Sequence, residues 1–259
     1  MRGEDLAKFI ADRFIARYDV MAEQAYGHRW HKDGAYYPLE RPFTLQEILD
    51  HINGRSRRGH YLLNQDDRCK LFAFDLDYDK GEFEFYLDGG GYTGSDETVV
   101  FSPGAALRDP ESPYRPLAIK HLRAMAEGLA AAARRMWDEV TDTVIGFSGS
   151  KGLHVYCLFD GLVAGEVAKR FAQATLVSPS FGEPLFRATR GDNFWQHRDP
   201  LLFPGINVET FPKQITKKGS YGNLMRLPYG IHAKSGQYGF FIDETAPLDQ
   251  LVPITEVPA

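Results

Sequence analysis

Two aspartates, Asp75 and Asp77, stand two residues apart at the end of the apolar run Phe72-Ala73-Phe74-Asp75-Leu76-Asp77. Such a run predicts a buried strand, and its two-residue period sends both carboxylates to one face with Cβ atoms about 6.6 Å apart. Left unneutralised they repel, because desolvating two like charges costs several kcal/mol or forces one to protonate. A divalent-metal cluster, a basic partner or an open solvated edge meets that requirement. The bland alternative is two acids ending a strand in water.

A second group with chemical potential is Phe147-Ser148-Gly149-Ser150-Lys151-Gly152-Leu153-His154-Val155-Tyr156. A small hydroxyl-rich turn joins two apolar strands there. Glycines let backbone N–H groups approach an oxyanion, Ser148 and Ser150 add donors, Lys151 brings a point charge and His154 can donate from its ring. An anion cradle suited to a triphosphate is one reading, and a plain hairpin is the other. The spacing GxxxxGK[ST] is absent here, and Gly89-Gly90-Gly91 lacks a following lysine, so neither is a Walker loop. Further along, Glu209 sits in the strand-like Asn207-Val208-Glu209-Thr210-Phe211-Pro212-Lys213-Gln214, where it can complete a metal site. Arg226 alternates with apolar residues in Gly222-Asn223-Leu224-Met225-Arg226-Leu227-Pro228 and needs an anion, either a phosphate or one of these acids.

The elements that must position these groups follow from periodicity. Apolar residues at helical spacing predict an amphipathic helix from Glu4 to Gln24, and Thr44-Leu45-Gln46-Glu47 has the form of a capping box opening a short helix through Ile52, stopped by Gly54. Residues 60–64 and 69–77 are expected as strands of one hairpin around Gln65-Asp66-Asp67-Arg68, ending on the paired acids at a sheet edge or mouth. The Gly-, Pro- and Asp-rich stretch from Asp88 to Pro116 is expected as a long loop with a strand only near Thr98 to Phe101. An Ala-rich helix over 116–138 precedes strands at 143–148 and 153–159, a helix from Gly165 to Leu176, an irregular segment over 178–204, and strands at 206–211, 223–229 and 237–242. Strands alternating with helices indicate an α+β or α/β chain with a mixed sheet, and no repeat of fixed period is present.

Composition narrows the function classes. A chain of 259 residues with 43% hydrophobic content can bury a full core as one large domain or two packed modules. No apolar stretch approaches the roughly 20 residues needed to span a bilayer, and Met1-Arg2-Gly3-Glu4-Asp5 lacks the pattern of a signal peptide, so a cytoplasmic location and no membrane partner are expected. Two cysteines, Cys69 and Cys157, support neither a disulfide framework nor a thiolate zinc site and are expected as core thiols. A net charge of −5 restricts any nucleic-acid contact to local basic patches. Arg55, Arg57 and Arg58 in one loop, and Lys213, Lys217, Lys218 and Lys234 around the later strands, are the candidates, with Tyr221, Tyr229 or Trp195 as stacking platforms. His28-Arg29-Trp30-His31 has superficial metal spacing without further ligands nearby.

The acid pair, the Ser-rich turn ending in His and the later strand acid, in that order, resemble the catalytic motifs of the archaeo-eukaryotic primase superfamily. Glu209 to Gln214 and Gly222 to Pro228 are most similar to stretches in the primase-polymerase domains of TOTE conflict systems and of CRISPR-associated primase-polymerases. Phe14 to Glu23 looks like their N-terminal helix, and the turn Ser148 to Tyr156 is also similar to that of the polymerase domain of bacterial end-joining ligases. The resemblance spans roughly residues 10–240. It implies an α+β catalytic core in which an N-terminal α/β module packs on an RRM-like module, with residues 1–259 forming a single catalytic domain.

The same resemblance implies two Mg²⁺ or Mn²⁺ ions held by Asp75, Asp77 and Glu209, with Ser148, Ser150, Lys151, Gly152, His154 and Arg226 around the incoming triphosphate. Many members of the superfamily carry Asp as the third acid, and Asp79 is a rival to Glu209 because it shares the face of Asp75 and Asp77. Oxygen ligands independently favour hard ions of this kind, and two of them would activate a 3′-hydroxyl and neutralise the leaving pyrophosphate. The expected partners are NTPs or dNTPs, a single-stranded DNA template or primer-template, and a helicase or further domains of a larger protein. The expected function is template-directed nucleotidyl transfer by a DNA primase and DNA/RNA polymerase. Rivals are a gap-filling polymerase that cannot prime, a nucleic-acid-binding module without catalysis, and a two-metal nuclease that would need no triphosphate cradle.

Overall fold

The computed structural model describes residues 3–27, 29–86, 98–177, 185–217 and 219–258. In chain order the elements are α1 (Gly3–Phe14), β1 (Met21–Gln24), β2 (Tyr36–Leu39), α2 (Leu45–Ile52), β3 (Arg58–Tyr61), β4 (Arg68–Tyr78), β5 (Phe83–Tyr86), β6 (Thr98–Phe101), α3 (Pro103–Arg108), α4 (Arg115–Met136), β7 (Val140–Phe147), β8 (Gly152–Ala164), α5 (Gly165–Val177), β9 (Phe186–Ala188), β10 (Phe194–His197), β11 (Ile206–Phe211), β12 (Leu224–Arg226) and β13 (Phe240–Phe241). A seven-stranded sheet runs β13-β7-β8-β4-β11-β10-β9, a four-stranded sheet runs β12-β3-β1-β2, and β5 pairs with β6. The α+β class holds, with ladders between these strands that are antiparallel throughout rather than mixed. Among the described residues no helix is long and apolar enough to cross a membrane.

The large sheet is buried on both faces, and its alternation assigns every central residue to one of two cores. Phe72, Phe74, Leu76 and Tyr78 of β4 pack with α4 and α5 on one side, together with Val155 and Cys157 of β8 and Val208 of β11. Leu71 and Ala73 face the other way, against α1, α2 and the small sheet, with Tyr156, Leu158 and Phe211 beside them. Asp75 and Asp77 continue this second face at the point where its apolar lining ends. Both cysteines are free and buried.

Several boundaries differ from the sequence-based expectation for identifiable reasons. The first helix stops at Phe14 instead of Gln24, because helical apolar spacing ends at Ile15; Arg17 then forks onto Asp19 at 2.8 and 2.7 Å, and Met21–Gln24 becomes a strand between β2 and β3. The expected hairpin of residues 60–64 and 69–77 does not form. Its turn is present, with Asn64 Oδ1 accepting the Asp66 and Arg68 N–H groups, but β3 is buried along its whole length and needs neighbours on both edges, which β1 and β12 supply. The chain therefore steps from one sheet to the other at residues 62–67. Thr44 caps α2 as expected, its hydroxyl accepting the Glu47 N–H. Helix α3 and strands β9 and β10 are too short to carry a periodic signal.

Candidate active site

Strand register brings the predicted acids together. In the central ladders Asp75 is paired with His154 of β8 on one side and with Glu209 of β11 on the other. Directly opposed residues of antiparallel strands share a face, so His154, Asp75 and Glu209 form one row, and Asp77 stands next to it between Gly152 and Asn207. The acids thus lie in the middle of the sheet, towards the end of β4, rather than on an edge strand. Asp79 is placed one residue beyond β4, exposed, its N–H bonded to the Gly205 carbonyl.

Each acid is met by its own cation. Lys151 Nζ lies 3.0 Å from Asp77 Oδ2 and donates to the Tyr78 carbonyl at 2.6 Å. Lys213, four residues beyond Glu209, returns its Nζ to Glu209 Oε1 at 2.5 Å. His154 Nε2 approaches Asp75 Oδ1 at 3.3 Å, near enough for attraction but not aligned as a hydrogen bond, and this oxygen is buried without a hydrogen-bond partner. Burial pushes the Asp75 carboxyl up, but His154, Lys213 and Lys151 outweigh it and hold the group below the ordinary carboxylate range. Asp77 moves the opposite way, raised by burial and by the neighbouring Asp75 charge. Burial also raises Glu209 against the pull of Lys213.

The turn from Ser148 to Lys151 is built from its own atoms. Ser148 Oγ accepts the Ser150 and Gly152 N–H groups at 3.3 Å each, and Gly149 adopts φ +78°, which a side chain would strain. Ser150 is buried. Gly152 is required for a different reason: a Cβ there would meet Asp77 Oδ1 and the Leu76 carbonyl, each at 2.2 Å. Arg226 reaches the same turn from β12, donating to the Ser148 carbonyl at 2.7 Å and to the Gly230 carbonyl at 2.9 Å, while its Nε is buried without a partner. Its partner is thus backbone rather than one of the acids, and each terminal nitrogen keeps a second N–H.

The expected basic residues separate into groups. Arg58 is not available to a nucleic-acid strand: it is buried, and its guanidinium is held by Glu47 at 2.6 and 2.8 Å and by Glu23 at 2.9 Å. Arg57 lies over the Tyr26 ring, and its charge is felt at Tyr36 and Arg226. Lys213 and Lys217 line a cleft described below. Lys234 is exposed, and Lys218 and His28 lie outside the described residues. Trp195 is buried in the core; its neighbour Phe194, opposite Glu209, is half-buried and carries Arg190 and Lys213 over its ring at 4.7 and 5.6 Å. Sequence reading missed Phe194, Arg190 and Tyr156, whose hydroxyl lies 2.8 Å from His154 Nδ1. A two-residue count along β10 from the acid row would have found Phe194 once the pairing was known.

Among the described residues no three His, Cys, Asp or Glu side chains stand close enough together to enclose an ion. The donor chemistry nevertheless fits a hard divalent cation, since Asp75, Asp77 and Glu209 present oxygens on one face of the sheet and one buried oxygen of Asp75 has no hydrogen bond.

The chain is similar to a family model and to a solved structure. The model of the family described as TOTE conflict system, Archaeo-Eukaryotic Primase domain, matches residues 5–195. Among solved structures, the polymerase domain of Mycobacterium tuberculosis Ligase D in complex with DNA is similar over 90% of this chain and 76% of that one, at 16% identity and a TM-score of 0.37. No curated protein matches. Glu209 and Arg226 lie beyond the matched residues; Glu209 joins the site by pairing with Asp75 and Arg226 by its hydrogen bond to the Ser148 carbonyl. With the family match covering most of its length, the chain belongs to the archaeo-eukaryotic primase domains of TOTE conflict systems, and its broad chemistry is nucleotidyl transfer.

Proposed function

We propose that this domain is a primase-polymerase that joins nucleotides on a DNA template. The observation that carries this reading is the row His154–Asp75–Glu209 across three adjacent strands, with a cationic turn beside it. Asp75, Asp77 and Glu209 would hold two Mg²⁺ or Mn²⁺ ions, which when bound supply neutralising charge at the transferring phosphate and lower the pKa of the attacking hydroxyl. Lys151 and Arg226 bind and orient the triphosphate, and Arg226 does so from a position fixed by the Ser148 and Gly230 carbonyls. Tyr156 orients His154: its hydroxyl lies 2.8 Å from Nδ1 and leaves the Nε2 proton directed toward the acid row, where burial lowers the pKa of the ring but Asp75, with Asp77, outweighs it and raises it. Gly152 keeps β8 within reach of Asp77.

Primer extension and unprimed synthesis on single-stranded DNA, with NTPs or dNTPs and Mn²⁺, test the proposal. The unaltered protein is expected to form products in both assays, and Asp75→Ala in neither while still binding DNA. Extension without unprimed synthesis would reduce the function to gap filling. Full activity of Asp75→Ala would overturn the metal assignment.

A further inference from the structure

Transfer brings two substrates to one row of acids, and the structure offers a separate approach to each side of that row. The triphosphate cradle lies on the β8 side. On the β11 side, a cleft of about 680 Å³ opens beside Lys213, its walls including Lys169, Asp192 and Lys217. Three lysines face one aspartate. Isolated surface lysines are ordinarily solvated, but these are drawn in around a concavity. Lys169, with a side chain only 15% exposed, is fixed by the Lys213 carbonyl at 2.9 Å and by Asp192 at 2.8 Å. Lys217 is anchored through its backbone N–H to Asp67 at 2.8 Å, with its Nζ on the Gln65 carbonyl. A cleft lined mainly by one sign of charge focuses its field on an incoming polyanion.

The location narrows the ligand. Lys213 belongs both to the cleft and to Glu209, so a chain of phosphates lying along Lys217 and Lys169 ends at the third acid, next to the half-buried ring of Phe194. We propose that this cleft binds the phosphodiester backbone of the strand whose 3′-hydroxyl is extended. This rests on the nucleotidyl-transfer reading above. Lysine contacts to phosphate position a strand without reading its sequence. Asp192 opposes the ligand and holds Lys169 back, so its charge sets the affinity.

The test uses a fluorescein-labelled twelve-residue oligodeoxythymidylate and a fluorescent ATP analogue with Mn²⁺, followed by anisotropy. Lys169→Ala/Lys217→Ala is expected to weaken oligonucleotide binding by about tenfold and to reduce the slope of log affinity against log salt by about 1.4, two single-strand contacts at roughly 0.7 each. Binding of the ATP analogue should stay within about twofold of its original value, because that flank is untouched. Asp192→Asn, which removes no cation and no packing, is expected to tighten oligonucleotide binding several-fold. With a short primer and a template titrated separately, the double variant should raise KM for the primer and leave that for the template unchanged; the reverse would assign the cleft to the template and overturn the proposal. Unchanged oligonucleotide affinity in both variants would overturn it too. If the unaltered protein binds the oligonucleotide through this cleft but synthesises nothing, the nucleotidyl-transfer reading fails while the cleft stands. If it synthesises, and the variants bind and extend normally, the cleft fails alone.

Discussion

Two charge clusters lie on the same side of the large sheet and use similar residues for opposite ends. In the first, Arg58 is buried at the seam of α2, β1 and β3, shared by Glu47 and Glu23, with Arg41 closing on Glu47 at 2.8 Å. Two cations meet two carboxylates. In the second, Asp75, Asp77 and Glu209 share one face with Lys151, Lys213 and His154. There burial raises Asp77 and Glu209, and Asp75 retains a buried oxygen with no hydrogen bond. The difference is in compensation. A cluster whose charges satisfy one another holds elements together, whereas one that leaves a buried carboxylate oxygen without a hydrogen bond can accept a further cation.

Breaking the two clusters should therefore have separable consequences. The largest effect is expected from Asp75→Asn, which keeps the shape of the side chain and removes its charge. Primer extension should fall by roughly a thousandfold, the scale on which loss of a preorganised electrostatic contact acts, with oligonucleotide binding retained. Extension rates in the presence of Mn²⁺ check this. Arg58→Ala should do the reverse. Removing one partner of a buried ion pair leaves Glu23 without its cation and Glu47 with Arg41 alone, and costs about 3–5 kcal/mol of stability, measurable as a lowered urea midpoint. Below that midpoint, nucleotide binding by the folded fraction should be unchanged, because Arg58 touches neither the acids nor the turn.

His51 joins the two regions and gives the comparison a dependence on pH. Its Nδ1 accepts the Arg58 N–H at 2.9 Å, which places the ring proton on Nε2, and Nε2 faces the carbonyls of Leu227 and Tyr229 at 3.2 and 2.8 Å, just past Arg226. Burial pushes this fully buried ring down to about 4. A histidine depressed in the fold is neutral there while the unfolded chain takes up a proton below about 6.5, so its contribution is fully present above that value and is lost as pH falls toward 4. Between pH 7 and pH 5 the loss amounts to about 2 kcal/mol. Urea titrations at the two pH values, repeated with His51→Gln, should show the pH dependence shrink by that amount. His60 is also fully buried and pushed down to about 4, so some dependence remains in the variant.

How much of this was legible in the sequence depended on the range of the interaction concerned. Asp75 and Asp77 were legible because strand alternation is local, and Glu209 and His154 because each stands in a short apolar run of its own. Their register was not, since pairing β4 with β8 and β11 joins residues about 80 and 130 positions away. The same limitation explains the hairpin that does not form: a good turn at residues 65–68 is a local signal, and the competition of β1 and β12 for the buried strand β3 is not. Arg57 and Arg58 are adjacent in sequence and have similar chemistry, yet Arg58 opens the fully buried strand β3 and meets two glutamates, while Arg57 precedes that strand. Trp195 had the stronger stacking potential by residue type, and the sheet face gives the position beside Glu209 to Phe194.

The smallest effect sharpens the comparison most, because it concerns a residue that serves both purposes. Ser148 was expected to donate to phosphate, but its oxygen is already occupied in closing the turn, accepting the Ser150 and Gly152 N–H groups. Its carbonyl in turn fixes Arg226. The hydroxyl proton remains available to a ligand in either case. Ser148→Ala removes the oxygen and the proton together, at a cost of about 1 kcal/mol for each role. If the hydroxyl only closes the turn, the loss appears in the urea midpoint and the nucleotide KM stays put. If it also contacts the triphosphate, KM rises about fivefold with kcat nearly unchanged, the signature of an interaction made equally in the ground and transition states. The second outcome is expected, since the turn lies between Arg226 and Lys151, and Ser148→Thr should restore both quantities by returning the oxygen and its proton.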